Sequence, residues 1–505
     1  MANGIRIGTV FFAPTVIQRM AHDSLERIAS MHQAMESTSR GDVTYRHYRA
    51  EDDPEAFLRD VDVVVGILNP SLLKARANLA VERPFVLLLM GEVSNGVPYP
   101  PQIIELLRPY DVMGCSCRSD VRILTKFVGG LRSTNIAVIP NLIDIRPFQA
   151  GRLQAVSKRQ DLFTISFAGR LTPQKNIETL LLLFRYVSQF DERARLVLAG
   201  PWDVTGAYQF GLSGHNYKEY ISDLIIRYKL EPKVEVRERL DRDGMIDLYS
   251  ASDVVANPSL LHDENFGVAQ VEAMASGKPL VVSDWGGIKD TVEHECGYRM
   301  TSRLLRGGGA AVDWLGGANF ILRLLDDYPL LNVVGEASSR HADEQYGFDC
   351  ILSMVEKAAR QAIYNTSCNG LSHGFSLTDL GSDMFRTVGF RSAYMTTMGQ
   401  QATMGGRFYE EIFSEYVSDV DPYTEDSNSV IYERLPVWFR GDTAHTYEFL
   451  WRKEAVINTS QIRLVKSVSN PVPRDQCDLS DEELRELIEL GFIGVAPALP
   501  NGRLL

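Results

Sequence analysis

Long apolar runs are missing from this chain of 505 residues. A helix that crosses a bilayer needs ~20 consecutive apolar residues. No stretch approaches that length, so membrane contact is expected to be peripheral at most. Runs of five or more Lys/Arg are missing too, and the net charge is −13. Both features speak against a nucleic-acid protein or any other general polyanion binder. The six cysteines are too few for a disulfide framework in so long a chain. No charged-then-apolar leader precedes the first apolar run, and a cytoplasmic protein is therefore expected. What is present is a globular composition, 45% apolar and 23% charged. On a prior of ~150 residues per domain, the chain has material for about three domains with large cores.

The apolar residues alternate between strand-like and helix-like segments, so the expected class is α/β. Residues 4–12 read as a buried strand, followed by a loop at 13–15 and a helical stretch to about Met35. Residues 43–48, 63–67 and 85–89 are short β-branched, aromatic or apolar runs. The last two are apolar throughout, as suits a parallel sheet covered on both faces. A polar stretch at 148–159 reads as an interdomain linker. Beyond it come a strand at 162–168, a Gly169-Arg170 turn, and a helix start with Pro173 in its first turn, where the missing N–H costs nothing. Further strands are expected at 194–199 and 234–237, with helices at 217–228, 242–250, 313–326 and 346–364. Cys115 and Cys117 would share one face of a strand, but a single C-x-C cannot complete a tetrahedral zinc site.

The most informative stretch is 259–283. A loop carrying Glu264 runs into a glycine turn at Gly267, a helix whose second turn carries Glu272, a stop at Gly277-Lys-Pro279 and the apolar strand 280–282. A helix starting at about Gly267 aims its free first-turn N–H groups, with the positive end of the dipole, back at the loop. That is a natural place for phosphate. Carboxylates in the loop and one turn into the helix suit two clusters of hydroxyls, such as those of a sugar and a ribose.

Read in full, Glu264-Asn-Phe-Gly-Val-Ala-Gln-Val-Glu-Ala-Met-Ala-Ser-Gly-Lys-Pro279 resembles the E-x7-E signature of the family-4 retaining glycosyltransferases of the GT-B fold, with every fixed position filled. Gly169-Arg-Leu-Thr-Pro-Gln-Lys175 is similar to the G-R-L-x-x-x-K segment of that family, and Ala251-Ser-Asp-Val-Val-Ala-Asn-Pro258 to its entry into the central motif. Ser283-Asp-Trp-Gly-Gly-Ile-Lys-Asp290 resembles its S-x-x-G-G-x-x-E turn, with Asp290 for Glu; its glycines would bring backbone close to phosphate or sugar. Residues 135–144 resemble the end of the first domain, with Leu142 where glycine is common. The resemblance covers 110–365 well and 1–109 only as a strand-helix pattern.

It implies two Rossmann-like domains facing a cleft, an acceptor-side domain at 1–147 and a nucleotide-sugar domain at 160–345, with a helix at 346–365 crossing back to the first. The implied reaction moves a sugar from a nucleotide-diphosphate sugar to an acceptor hydroxyl with retention of anomeric configuration. No cofactor and no metal are implied. Arg170, Lys175 and Glu264 would be catalytic, the two cations stabilising the departing diphosphate. Gly169, Asn265, Phe266, Gly267 and Glu272 would complete donor binding, with Glu264 on the sugar hydroxyls and Glu272 on the ribose. Relatives often carry a histidine after a first-domain strand. Here residues 85–89 exit into Met90-Gly91-Glu92 instead, which makes Glu92 the acceptor-side candidate, while His22 reads as structural. Asp241-Arg-Asp243 matches a metal-holding D-x-D formally but reads as the acid-rich start of a helix.

Residues 366–505 fall outside the resemblance, and an α+β extension is expected there. Ser480 to Glu483 forms a capping box, Leu484, Leu487 and Ile488 give an apolar face, and Gly491 stops the helix. Met395, Met398 and Met404, with Val437-Trp-Phe439, would suit docking of an acceptor, a partner protein or a second copy. The tail is expected to select the acceptor rather than the donor. Two further readings stay open: a nucleotide-sugar epimerase or hydrolase on the same architecture, and a catalytically silent subunit supporting a partner enzyme.

Overall fold

The computed structural model describes residues 4–11, 31–79, 82–89, 101–153, 161–202, 217–260, 264–305, 310–368, 374–388, 414–417, 429–441, 443–447 and 452–497. They fall into two units. The first comprises Met1–Pro147, Asn265–Val271 and His341–Tyr394, and the second Phe148–Glu264, Glu272–Arg340 and Met395–Leu505. Each is built on a parallel sheet of Rossmann type. Among the described residues no helix is long and apolar enough to cross a membrane.

In the first unit the strands are β1 (Ile5–Val10), β2 (Ser39–Arg40), β3 (Val43–His47), β4 (Val63–Gly66), β5 (Phe85–Leu89), β6 (Val112–Cys115), β7 (Val128–Gly129) and β8 (Ile136–Val138). Seven of them form one sheet in the order β2-β3-β1-β4-β5-β6-β8, and β7 lies outside it. All pairs in this sheet are parallel except β2 with β3. The all-apolar runs β4 and β5 are buried along their whole length, as strands covered on both faces must be. The entries to β5 and β6 are fastened by a buried ion pair. Arg76 meets the Asp111 carboxylate in a fork, at 2.8 and 3.0 Å, and Asp111 also accepts the N–H groups of Phe85 and Arg108. Helix Phe348–Thr366 packs against β4, β5 and β6. At its last turn, Asn365 donates to the Thr134 carbonyl at 2.9 Å.

One expectation fails here. Cys115 ends β6, whereas Cys117 is the N-cap of helix Arg118–Phe127, its sulfur accepting the Asp120 N–H at 3.4 Å. The two thiols therefore do not share a strand face. The helix starts at Arg118, two residues after Ser116, too soon for the strand to continue.

The second unit holds β9 (Phe163–Ala168), β10 (Ala194–Ala199), β11 (Val234–Arg237), β12 (Val254–Asn257), β13 (Leu280–Ser283) and β14 (Gly297–Met300), all parallel, in the order β11-β10-β9-β12-β13-β14. Strand order reverses between β9 and β12. In open α/β sheets, the crevice outside the carboxyl ends of the strands at such a reversal is where ligands bind. The stretch expected as a linker at 148–159 begins instead as helix Arg146–Leu153. Phe148 is buried edge-on against Tyr249 at 5.9 Å, and a Cβ on Gly151 would lie 2.4 Å from Ile246. Polar side chains on the outer face hid that apolar contact from composition alone.

The tail does not form one separate body. After the hairpin β15 (Ser302–Leu304) and β16 (Ala310–Val312), strand β17 (Ser376–Leu377) pairs with β7 in the first unit. The rest belongs to the second. There β18 (Ser429–Glu433), β19 (Val437–Arg440), β20 (Thr443–Tyr447), β21 (Arg452–Val456), β22 (Val472–Pro473) and β23 (Ile493–Pro497) form two antiparallel three-stranded sheets, β22-β18-β23 and β19-β20-β21. The Ser480/Glu483 capping box starts helix Asp481–Glu489, which buries Leu484, Leu487 and Ile488 among Ile431, Leu464, Phe492 and Ile493. Gly491 takes φ +83° after it. Trp438, half-buried, packs on Tyr220 at 5.5 Å and under Arg227 at 5.1 Å within the second unit.

A buried ion network joins the tail to the sheet. Asp313 accepts from Arg434 Nε at 2.9 Å, from Tyr432 Oη at 2.9 Å and from the Arg303 guanidinium, while Trp314 donates to the Glu433 carbonyl at 2.8 Å. Burial alone would raise the Asp313 pKa, but Arg434 and Arg303 outweigh it and hold it below the usual carboxylate range. Removing one member leaves the others buried and uncompensated, typically at a cost of ~3–5 kcal/mol. Arg434→Met should therefore lower the urea midpoint of the second unit by an amount corresponding to several kcal/mol. The exposed helical pair Arg59–Glu55 of the first unit offers the contrast: Arg59→Ala should shift that unit's midpoint by no more than ~0.5 kcal/mol. Equal effects of the two substitutions would mean that the Asp313 network is not what holds the tail.

Candidate active site

The candidate site lies at the strand-order reversal of the second unit, where β9 and β12 end. Close packing of the exits fixes the backbone there. A Cβ on Gly200, at φ +146°, would lie 1.8 Å from the Gly169 carbonyl oxygen, so β10 and β9 can leave the sheet side by side only with glycine at that position. Leu171 N–H then bonds to the Pro201 carbonyl at 2.8 Å. Pro173–Lys175 is a short 3-10 turn, closed by Asn176 in the left-handed region at φ +56°. Helix Ile177–Phe190 starts only after it. Pro173 is thus in a separate turn rather than in the first turn of the helix. The reason is Asn176, whose short polar side chain tolerates φ > 0; it donates to the Pro258 carbonyl at 3.2 Å. Leu260 N–H bonds in turn to the Gln174 carbonyl at 3.0 Å. Two hydrogen bonds therefore stitch the turn after β9 to the loop after β12.

The stitching brings together residues 89 positions apart in sequence. Lys175 Nζ forms an ion pair with Glu264 Oε2, and Ser259 Oγ donates to the same oxygen at 2.8 Å. The Lys175 and Glu264 side chains are only 12% and 10% exposed. A carboxylate held this way has a second oxygen for further donors, and the ammonium has two more N–H bonds to give. Arg170 lies half-buried just beyond β9, at the same sheet edge as Lys175. Glu272 is buried one turn into helix Val268–Ala275, where Tyr249 Oη donates to it at 3.5 Å.

Asn265, Phe266 and Gly267 belong to the first unit. Asn265 gives its amide to Ser116 Oγ at 3.4 Å, and Phe266 packs edge-on against Tyr346 at 5.4 Å. Gly267, at φ +82°, turns the chain into the helix, which begins one residue later than expected, at Val268. Asp241 is the N-cap of helix Arg242–Ala251 and accepts the Gly244 N–H at 2.8 Å, so one of the two formal D-x-D acids is spent on capping. Among the described residues, no group of three or more His, Cys, Asp or Glu side chains is placed to hold a metal. Glu92 and His22, and Met395, Met398 and Met404, lie outside the described residues.

Sequence reasoning missed two supports of this site. One is Tyr416, whose carbonyl accepts the Gly286 N–H at 3.0 Å. Far beyond the family-like segments and without a motif around it, this residue carried no signal. The other is Glu178, just after Asn176. It is fully buried and accepts from Tyr217 Oη at 2.5 Å, while that oxygen accepts the Ile177 N–H at 3.2 Å. Burial pushes the Glu178 pKa up to about 7 from 4.5, against the opposing bond from Tyr217. Between those values the folded state binds more protons than the unfolded state, so this group's contribution to stability is complete below about pH 4.5 and lost as pH rises through about 7. A shift of this size corresponds to on the order of 3 kcal/mol. Glu178→Gln should remove that slope from a series of urea melts between the two pH values. An unchanged slope would mean that other groups produce it.

Residues 152–302 match the family model of glycosyl transferases group 1. An uncharacterized glycosyltransferase of Methanocaldococcus jannaschii is 35% identical over 144 residues, which are 28% of this chain and 32% of that protein. A D-inositol 3-phosphate glycosyltransferase of Kribbella flavida is 26% identical over 309 residues, 57% of this chain and 68% of that one. The match to the first of these thus spans about a third of the relative's length. Among solved structures, Anabaena HepE in complex with UDP aligns at 17% identity with a TM-score of 0.49, covering 70% of this chain and 98% of that one. The sucrose-phosphate synthase of Thermosynechococcus elongatus aligns at 16% identity with a TM-score of 0.46, covering 72% and 100%. Arg170, Lys175, Glu264 and Glu272 all lie within the stretch matched by the family model.

Proposed function

We propose that this chain transfers a sugar from a nucleoside-diphosphate sugar to an acceptor hydroxyl with retention of configuration, and that it does so without a metal. The observation that carries the reading is the buried Lys175–Glu264–Ser259 cluster at the strand-order reversal of a sheet within the matched segment. A lysine beside a carboxylate there suits a ligand that is anionic at one end and hydroxyl-rich at the other. In this reading Lys175 and Arg170 meet the diphosphate, with Gly169 allowing close backbone approach. Glu264 accepts from sugar hydroxyls and Glu272 from the ribose. Asn265 and the backbone of Phe266 and Gly267 complete the donor contacts.

As the bond between the anomeric carbon and the diphosphate oxygen breaks, negative charge grows on the leaving group and the sugar becomes oxocarbenium-like. The acceptor oxygen forms its bond on the same face, and its proton passes to the departing diphosphate. Oriented cations that strengthen their hold as this charge develops lower the barrier, and losing one such group typically costs ~10²–10³ in rate. The relatives named as D-inositol 3-phosphate glycosyltransferases support an acceptor that presents a hydroxyl.

The full chain should be incubated with a panel of nucleotide sugars, with and without candidate hydroxyl acceptors, and with EDTA in parallel. Release of nucleoside diphosphate together with a glycosylated product of the donor's anomeric configuration is expected, unaffected by the chelator. Lys175→Ala should lower turnover by ~10²–10³ when assayed well below the variant's own melting temperature, which should also fall because Glu264 is left buried without its ammonium. An isomerised donor would replace this reading with an epimerase. Loss of activity in EDTA, restored by Mg²⁺ or Mn²⁺, would overturn metal independence, and wild-type turnover in Lys175→Ala would remove that lysine from the site.

A further inference from the structure

Within the second unit, the tail reaches the turn that backs the candidate donor carboxylate. Trp285 follows β13 after Asp284, Gly286 and Gly287 turn the chain into the short helix Gly286–Thr291, and Trp285 and Tyr416 are both fully buried, ring edge to ring face, with centroids 5.4 Å apart. Gly286 N–H donates to the Tyr416 carbonyl at 3.0 Å. Lys289 Nζ donates to the carbonyls flanking that residue, Glu415 and Val417, at 2.9 Å each. Four points of contact thus pin residues 415–417 to one side of the turn.

The other side of the turn holds Glu264. Gly287 N–H donates to the Glu264 carbonyl at 2.6 Å, and Ser283 Oγ donates to the Ser259 carbonyl at 2.6 Å. Gly286 sits between the two at φ +52°, where a Cβ would come within 2.5 Å of the Glu264 carbonyl oxygen and 3.2 Å of the Tyr416 ring. The resemblance implied that these glycines would offer backbone to a ligand. Their N–H groups are instead committed to Tyr416 and Glu264, and the absent side chain lets three segments close on one another. The two residues that make up the anionic side of the cluster, Ser259 and Glu264, are therefore held from behind by a turn whose far face rests on the tail.

We propose that Tyr416 is a positioning residue for Glu264. The tail helps set the geometry of the donor sugar's carboxylate through the Gly286-Gly287 turn, and so serves the donor as well as any acceptor. This rests on the reading of Glu264 as a sugar-binding group. Without the Tyr416 ring, Gly286 borders a void, the turn gains freedom, and the carboxylate loses its fixed place against Lys175. Small misplacements of this kind are costly because oriented contacts depend on sub-ångström geometry.

The test compares the wild type with Tyr416→Ala, Tyr416→Phe and Lys289→Met in the full chain. Affinity is measured by calorimetry for the nucleotide sugar selected from the panel and for the matching nucleoside diphosphate, and amide exchange is measured at Gly287. Tyr416→Ala should weaken the nucleotide sugar by ~10- to 100-fold while leaving the nucleoside diphosphate within about twofold, and should speed exchange at Gly287. Tyr416→Phe, which keeps the ring, should restore both. Lys289→Met opens no large void and should act in the same direction by a few-fold, which keeps the test available if Tyr416→Ala does not fold. Equal losses for nucleotide sugar and nucleoside diphosphate, or unchanged sugar affinity, would overturn the proposal. If the wild type binds no nucleotide sugar at all, the glycosyltransferase reading fails on its own account. The positioning claim is then decided by exchange, and an unchanged Gly287 rate in Tyr416→Ala and Lys289→Met overturns it.

Discussion

The constraint on which the candidate site depends is the closeness of two chain exits in the second sheet. β9 and β12 are neighbours in the sheet, and the backbones that follow them are tied to each other. The ties are the Asn176 amide on the Pro258 carbonyl and the Leu260 N–H on the Gln174 carbonyl. With them in place, Lys175 reaches Glu264. The charges are buried at low cost because each brings its own compensation: the ammonium finds the carboxylate, and the carboxylate also finds the Ser259 hydroxyl. Neither partner would be placed this way by its own segment alone.

A second layer of constraint comes from the tail. Its own small core, around Leu484, Leu487 and Phe492, would make a modest domain. The Asp313 network and the Trp314 bond to the Glu433 carbonyl instead tie it to the β15–β16 hairpin and the residues that follow it in the second unit. The short segment around Tyr416 adds an attachment to the Gly286-Gly287 turn. An extension that began as an unexplained addition to the two-domain body is thus part of how one of those bodies is held.

Much of the fold was legible because parallel strands buried on both faces have few alternatives. Val63-Val-Val-Gly66 and Phe85–Leu89 are apolar throughout, Leu280–Ser283 is apolar up to its last residue, and their length and flanks suit strands rather than helices. The pairing of Lys175 with Glu264 was foreseeable only through resemblance, since nothing local in either segment points to the other across 89 positions. Where local reasoning failed, a contact out of view decided the matter. Phe148 and Gly151 make 146–153 a helix by packing on Tyr249 and Ile246, and Asn176 breaks the turn after β9 from its helix by bonding to Pro258. The role of Gly286 was misjudged for the same reason: a glycine needed to admit another segment reads the same in sequence as one that admits a ligand. Tyr416 and Glu178 were invisible because single buried polar or aromatic residues carry no pattern.

The most direct measurement of the account is hydrogen–deuterium exchange of the full chain with and without a saturating nucleoside diphosphate, taking the uridine, guanosine and adenosine compounds in turn. If the strand-order reversal of the second sheet is the donor site, the base that binds should protect the backbone around 169–177 and 264–273 and leave the sheets of the tail at 429–497 unchanged. Protection confined to any other part of the chain, with those two segments exchanging as they do in the free protein, would contradict it.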